Sequence, residues 1–552
     1  IMKNPPAIFL LSLALAFASR PLPAELRLPS IFGDGMVLQR DKPVSVWGWA
    51  TPGEEVKVTI SGQEAATMAD AEGRWIIRLA AMKASSSGTS LDVASGDERR
   101  EVTDVLIGDV WICGGQSNME WSMRASRDAD LEISSADYPA IRYARLPHIA
   151  RPEPQEDFPL EDRKNPQGSW RRCDGKDVEN CTAVGYYFAR RLHRRIKVPI
   201  GIIDTSWGGT MAQHWVSTET LRPFPEMKPY FETFETKLGE WTDGGREEGA
   251  RKRLAADTAA WEKKRAEAKA KGEREPRRPN ANNYTNPATK RQPGGMYNGM
   301  IVPLAKLSIK GVLFYQGENN SFTVGWKPFH NTFPAVIADW REAFGDPQLP
   351  FGIIQIAGWS TRRSMTYDMN HHTNVIREIQ LNTWKRTPGT GLIATYDTNS
   401  NGSIHPGRKL PVGGRSARWA LAEVYKAESS RPGSPIEWRG PVYTGFEING
   451  NKLVASFEDG TSRGLRLDQD VDVGFVIAGK DQVFHNAQAR ISKGNKIEIW
   501  SDKVPEPAAA RYAWSNLPHG GLMNARELPA YPFRTDTWPL TPHQSTGSYQ
   551  VK

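Results

Sequence analysis

Val105-Leu-Ile-Gly-Asp-Val-Trp-Ile-Cys113 is a near-continuous apolar run that ends in Gly114-Gly115 and passes into Gln116-Ser117-Asn118-Met119-Glu120. An apolar run without strict alternation suits a strand covered on both faces, the habit of parallel sheets. Four more runs follow the same grammar. Val198-Pro-Ile-Gly-Ile-Ile203 leads to Gly208-Gly209, and Ile309-Lys-Gly-Val-Leu-Phe-Tyr315 leads to Gly317. Phe351-Gly-Ile-Ile-Gln-Ile356 and Gly391-Leu-Ile-Ala-Thr-Tyr396 complete the set. Helix-like stretches lie between them, among them 184–196 and 412–426. Strand, polar loop and helix in repetition predict an α/β domain with a parallel sheet, here over residues 106–428.

Outward from this domain the rhythm changes. Residues 25–105 alternate apolar and polar positions, as in Val44-Ser-Val-Trp-Gly-Trp49 and Glu55-Val-Lys-Val-Thr-Ile60, with Gly and Pro between the runs. Residues 429–540 do the same, with turn signals at Asn449-Gly450 and Asp459-Gly460. Each predicts a β-sandwich flanking the α/β domain. Residues 225–295 interrupt the α/β rhythm with a stretch rich in Ala, Lys, Glu and Arg, read as an exposed helix and loop inserted into the domain. Residues 541–552 read as a tail.

Residues 1–24 read as an export signal. Lys3 precedes an apolar stretch over 7–17, and small residues lead to Leu22-Pro23-Ala24. The expectation is a secreted or periplasmic protein with no membrane attachment after cleavage. The formal charge is +8, from 71 basic and 63 acidic residues. Without residues 1–24 it is +6, and residues 251–278 alone carry 11 basic and 5 acidic residues, the same excess. The charge is thus a property of one solvated helix rather than of a basic surface, which argues against nucleic acid as a partner. Of three cysteines, Cys173 and Cys181 are close enough in sequence to bridge in an oxidising compartment, and Cys113 lies in an apolar strand as a buried thiol. No paired CxxC, HExxH or phosphate-binding loop occurs, so no metal or other cofactor is expected.

Ligands of an open parallel sheet bind beyond the C-terminal strand ends. Those ends carry Ser117, the turn Ser206-Trp-Gly-Gly-Thr210, Gln316 with Asn319, and Asp397 followed by His405 in a polar loop. A hydroxyl, glycine amides, side-chain amides and an imidazole on one rim are the parts of an acyl-transfer site. Each has a plainer reading as well. Ser117 with Glu120 fits a helix capping box, the glycines fit a tight turn, and the amides and the histidine fit ordinary loops. It is the convergence of four such features that favours chemistry.

Gly115-Gln-Ser-Asn-Met119, Ser206-Trp-Gly-Gly-Thr210, Tyr315-Gln-Gly-Glu318 and His405-Pro406 with Lys409 resemble the sialate O-acetylesterase family of carbohydrate esterases, within the SGNH hydrolases. Met296-Tyr-Asn-Gly-Met-Ile301 and Arg511-Tyr-Ala-Trp514 match too, and the resemblance runs over about 28–539. It implies a flavodoxin-like three-layer α/β/α core with β-rich accessory domains, acting on an acetylated carbohydrate such as sialic acid or a polysaccharide. It implies Ser117 as nucleophile and His405 as general base. The oxyanion hole would use the backbone N–H of Ser117, an N–H at Gly208 or Gly209, and the side-chain amide of Gln316 or Asn319. One position departs from the family pattern Asp-x-His-Pro, because Ser403 stands where the acid would be. Asp397 is the nearest acidic candidate to orient His405. The missing acid also motivates a second reading, a glycan-binding protein on a catalytically impaired hydrolase fold.

Overall fold

The strand that holds Val105–Cys113 is longer than its apolar run. It spans Glu98–Gly115 and serves two neighbourhoods. Its first part pairs with Ser85–Ser95 and with Val37–Gln39; its second part pairs in parallel with Ile200–Asp204 on one side and Gly311–Tyr315 on the other. The boundary expected at 105 and 106 therefore falls inside one strand, and the N-terminal β-structure is continuous with the central sheet. The computed structural model describes residues 25–158, 169–242, 246–273, 275–276, 278–279, 286–322, 325–359, 367–368, 372–400, 402–468, 474–539 and 548–549. The expected leader, 1–24, and nearly all of the expected tail, 541–552, lie outside them.

The central strands are ordered Thr390–Ile393, Phe351–Ile354, Gly311–Tyr315, Glu98–Gly115, Ile200–Asp204, Asp137–Arg145 and Trp170–Asp174. All neighbours are parallel except the last pair. Each of the five apolar runs forms one of these strands. Successive residues of a strand face opposite sides. Trp111 packs on Phe188 and Trp419, from helices Ala183–Ile196 and Leu410–Trp419, whereas a side chain at Gly114 would meet Trp340 of helix Trp326–Ala343. Helices thus cover both faces, which is why these strands tolerate no polar stripe.

Beyond residue 440 lie two four-stranded antiparallel sheets. Leu453, Ile497 and Ile499 of one and Ile477, Tyr512 and Phe533 of the other belong to one apolar core. Tyr396 of the α/β domain joins that core and hydrogen-bonds Tyr512, hydroxyl to hydroxyl, at 2.9 Å. The charged insertion contains the 26-residue helix Arg246–Lys271, which buries only Ala250 and Ala268 among its described side chains. Cys113, Cys173 and Cys181 are buried free thiols, with Cys181 in hydrogen-bond contact with Cys173.

Candidate active site

Gly115 makes the turn that presents Ser117. Its φ of +125° is open to glycine alone, and a Cβ there would lie 2.1 Å from the carbonyl oxygen of Tyr315. Gln116 is extended and donates its N–H to that same oxygen at 3.0 Å. Helix Ser117–Glu120 starts at once. The capping box is not formed: the cap residue is Gln116, and the Ser117 hydroxyl points away from the helix to His405. Ser117 Oγ and His405 Nε2 are 2.7 Å apart, across 288 residues of chain.

His405 is held by its backbone and its flat face. Its N–H donates to Ser403 Oγ at 3.0 Å, and its ring stacks on Trp121 with centroids 5.3 Å apart and planes 24° apart. Burial and the nearby Lys409 ammonium lower the imidazole pKa, with Glu120 opposing them. Asp397 does not take the orienting role proposed for it. Its two carboxylate oxygens accept from the two Nη atoms of Arg415, at 2.7 and 2.6 Å, so it faces helix Leu410–Trp419 instead. Among the described residues, Nδ1 of His405 has no hydrogen-bond partner.

A buried polar network ties the serine turn to the histidine loop. Asn118, fully buried, donates to Glu318 Oε1 at 2.5 Å and to the Ile404 carbonyl at 3.0 Å, and accepts from Lys409 Nζ at 2.6 Å. Gln116 donates to the other oxygen of Glu318. Burial raises the pKa of Glu318 and lowers that of Lys409 to about 7, each resisted by the other's charge. Asn118 stands between them and fixes the residue before His405.

The amides expected for an oxyanion hole are placed differently from one another. The Gly208 N–H is occupied: it donates to Glu120 Oε2 at 2.6 Å. Gln316 is fully buried, and its amide nitrogen is spent on the Thr210 carbonyl at 2.9 Å and on Gln116 Oε1 at 3.4 Å. Asn319 uses its amide nitrogen on the Gly209 carbonyl at 3.0 Å. The Ser117 N–H, at the first position of its helix, and the Gly209 N–H donate to no partner among the described residues. Gly208 packs so closely on the nucleophile that a Cβ would lie 3.1 Å from Ser117 Cβ.

Glu120 is more than the cap partner that its spacing from Ser117 suggests, and Arg145 and His148, which no motif singles out, join it at the site. Glu120 accepts from Arg145 Nη2 at 2.5 Å and lies 3.4 Å from His148 Nε2. Burial opposes its charge, but His148, Arg145 and the Gly208 N–H outweigh that and hold its pKa near 2. The signal of Arg145 and His148 in the sequence is their place at the end of strand Asp137–Arg145 and just beyond it, a strand that no apolar run marks.

Residues 286–409, which include His405, match the family described as carbohydrate esterase, sialic acid-specific acetylesterase. The sialate O-acetylesterase of Mus musculus is 27% identical over 495 residues, covering 81% of this chain and 81% of that one. That of Homo sapiens is 26% identical over 474 residues, covering 79% and 77%. A crystal structure of a carbohydrate acetylesterase from Xanthomonas citri superposes with a TM-score of 0.74 at 32% identity, covering 93% of this chain and all of that one.

Proposed function

Because the chain belongs to the carbohydrate esterase family of sialic acid-specific acetylesterases and is a hydrolytic esterase, we propose that it is exported and removes O-acetyl groups from sialic acid or an acetylated polysaccharide by serine–histidine acyl transfer. The observation that carries the mechanism is the 2.7 Å contact between Ser117 Oγ and His405 Nε2 at the C-terminal edge of a parallel sheet. The helix-covered sheet and the site at its strand ends support a three-layer SGNH core.

The lowered pKa keeps the imidazole neutral near pH 7, and the tautomer with its proton on Nδ1 accepts the serine proton at Nε2 as Oγ attacks the acetyl carbonyl. The carbonyl oxygen becomes an oxyanion beside the free amides of Ser117 and Gly209. His405 then returns the proton to the departing sugar oxygen, and water repeats the sequence on the acetyl-serine. No carboxylate contacts Nδ1 among the described residues, so His405 and Ser117 work as a dyad. The Trp121 face and the Ser403 hydroxyl on the His405 N–H supply the orientation that an acid supplies elsewhere.

Two outcomes test this. The full chain is expected to release acetate from O-acetylated sialic acid or from an acetylated plant polysaccharide, and Ser117 is expected to take up one equivalent of an organophosphonate. Glycan binding without acetate release or labelling would place the protein among non-catalytic binders. The pH profile gives a second check. A base with a lowered pKa becomes neutral, and competent, as pH rises through a value below the ordinary imidazole figure of about 6.5. The rising limb of kcat/KM on 4-nitrophenyl acetate should therefore reach half-height below about pH 6.5. A midpoint at or above neutrality would contradict the environment described for His405.

A further inference from the structure

The turn that follows strand Ile200–Asp204 is fastened to the nucleophile by consecutive amides. The Trp207 N–H donates to the Gly115 carbonyl at 3.0 Å, and the Gly208 N–H donates to Glu120 Oε2 at 2.6 Å. The next amide, that of Gly209, is left without a partner among the described residues, on a residue whose φ is +75°. Glu120 belongs to the same short helix as Ser117, and the missing Cβ of Gly208 would sit 2.9 Å from Glu120 Oε2 and 3.1 Å from Ser117 Cβ. Carboxylate, turn and nucleophile are thus in mutual contact.

The carboxylate is itself fixed from the far side. Arg145, the last residue of strand Asp137–Arg145, reaches it at 2.5 Å. His148 lies 3.4 Å from it, bonds the Ser206 carbonyl at 3.2 Å, and stacks flat on Trp207 with centroids 4.7 Å apart and planes 6° apart. A surface cap would need none of this. A helix this short gains little from capping, and an arginine and a histidine ring against one partly buried carboxylate hold it in one place.

We propose that Glu120 is a positioning residue for the esterase reaction. It splints the Gly208–Gly209 turn against the nucleophile's helix so that the Gly209 N–H and the Ser117 N–H converge on the oxyanion. This assignment rests on the serine–histidine reading above. The groups that face Glu120 are Arg145 and His148 in contact, with Lys290, Asp204 and His405 acting at longer range. Its negative charge also favours the imidazolium that forms on His405 as the serine loses its proton. The carboxylate stays ionised through the working range, so it contributes charge and geometry at every pH at which His405 is a base.

The test compares the full-length wild type with Glu120→Ala, Glu120→Gln and Ser117→Ala, measuring kcat and KM on 4-nitrophenyl acetate across pH. Glu120→Ala frees the turn, and kcat should fall about 10²–10³-fold, the effect of losing one oxyanion donor, with KM within about threefold of wild type. Glu120→Gln keeps a carbonyl oxygen for the Gly208 N–H but not the charge. It should recover kcat to within about tenfold of wild type, and the rising limb of its pH profile should move to lower pH, because the charge that favours imidazolium is gone. A kcat for Glu120→Ala within about threefold of wild type, while Ser117→Ala is inactive, would overturn the proposal and leave the serine reading intact. Equal losses in both Glu120 variants with an unmoved pH limb would also overturn it, since a merely structural side chain behaves that way. Where Glu120→Ala does not fold, Glu120→Gln decides: a shifted limb with reduced kcat supports the splint, and wild-type behaviour refutes it. Wild-type turnover in Ser117→Ala would instead strike the underlying mechanism.

Discussion

Ser117→Ala is expected to lower kcat on 4-nitrophenyl acetate by about 10⁴–10⁶-fold and to abolish organophosphonate labelling, with the fold unchanged. The effect should be this large because Ser117 Oγ makes one hydrogen bond among the described residues, to His405, and caps no helix. Nothing nearby replaces it. Cys113 is fully buried in the sheet, and its thiol pKa is raised further by burial. Ser206 is committed to Asp204 through both its N–H and its hydroxyl. His405→Ala should fall into the same range, and the double variant should be little worse than either single one, because the two groups act as a unit. A single-variant loss below about tenfold would mean that acyl transfer does not pass through this hydroxyl.

Five of the seven central strands were legible because burial on both faces leaves a near-continuous apolar run. Strand Asp137–Arg145 was not legible, because its burial depends on charge. Arg142 is almost wholly buried and is made tolerable by Asp104, at 2.8 Å and 38 residues away in sequence. Local pattern contains no trace of such a partner. The change of rhythm at 105 falls inside one strand, whose two parts serve two neighbourhoods.

At the site, Ser117 and His405 could be proposed from strand ends alone, since a parallel sheet gathers its C-terminal loops on one rim. Asp397 could not be assigned that way. Proximity in sequence pointed to His405, but Arg415, within helix Leu410–Trp419, presents both its Nη atoms to the carboxylate. Gly208 and Gly209 were equivalent on paper and are inequivalent in space, because Glu120 takes one amide and leaves the other. That distinction needs three elements packed together, so no motif expresses it.

Asn118→Ala is expected to cost about 3–5 kcal/mol of stability. Asn118 is fully buried and makes two hydrogen bonds to groups that carry or can carry charge, at 2.5 Å to Glu318 and 2.6 Å to Lys409. Bonds of this kind are worth about 1.5–3 kcal/mol each, and alanine leaves both partners buried without them. Glu318 and Lys409 each resist ionisation where they lie, so removal of the amide between them should drive both towards their neutral forms. Lys409, already down to about 7, should titrate lower still. The sign of the pH dependence follows. Where the unfolded lysine binds a proton that the folded one does not, stability rises with pH; wild type and variant share that rise above about pH 7, so the part of the deficit that comes from Lys409 should be regained as pH rises towards about 7. The deficit would be read as a lower urea midpoint with an unchanged slope. Activity should also suffer, because the 3.0 Å bond from Asn118 to the Ile404 carbonyl fixes the residue before the base. A base displaced by about 1 Å can cost about 10²-fold in kcat, so a fall of that order is expected even in the fraction that remains folded. A stability change under about 1 kcal/mol together with unchanged kcat would mean that the histidine loop is held by Trp121 and Ser403 without help from the buried network.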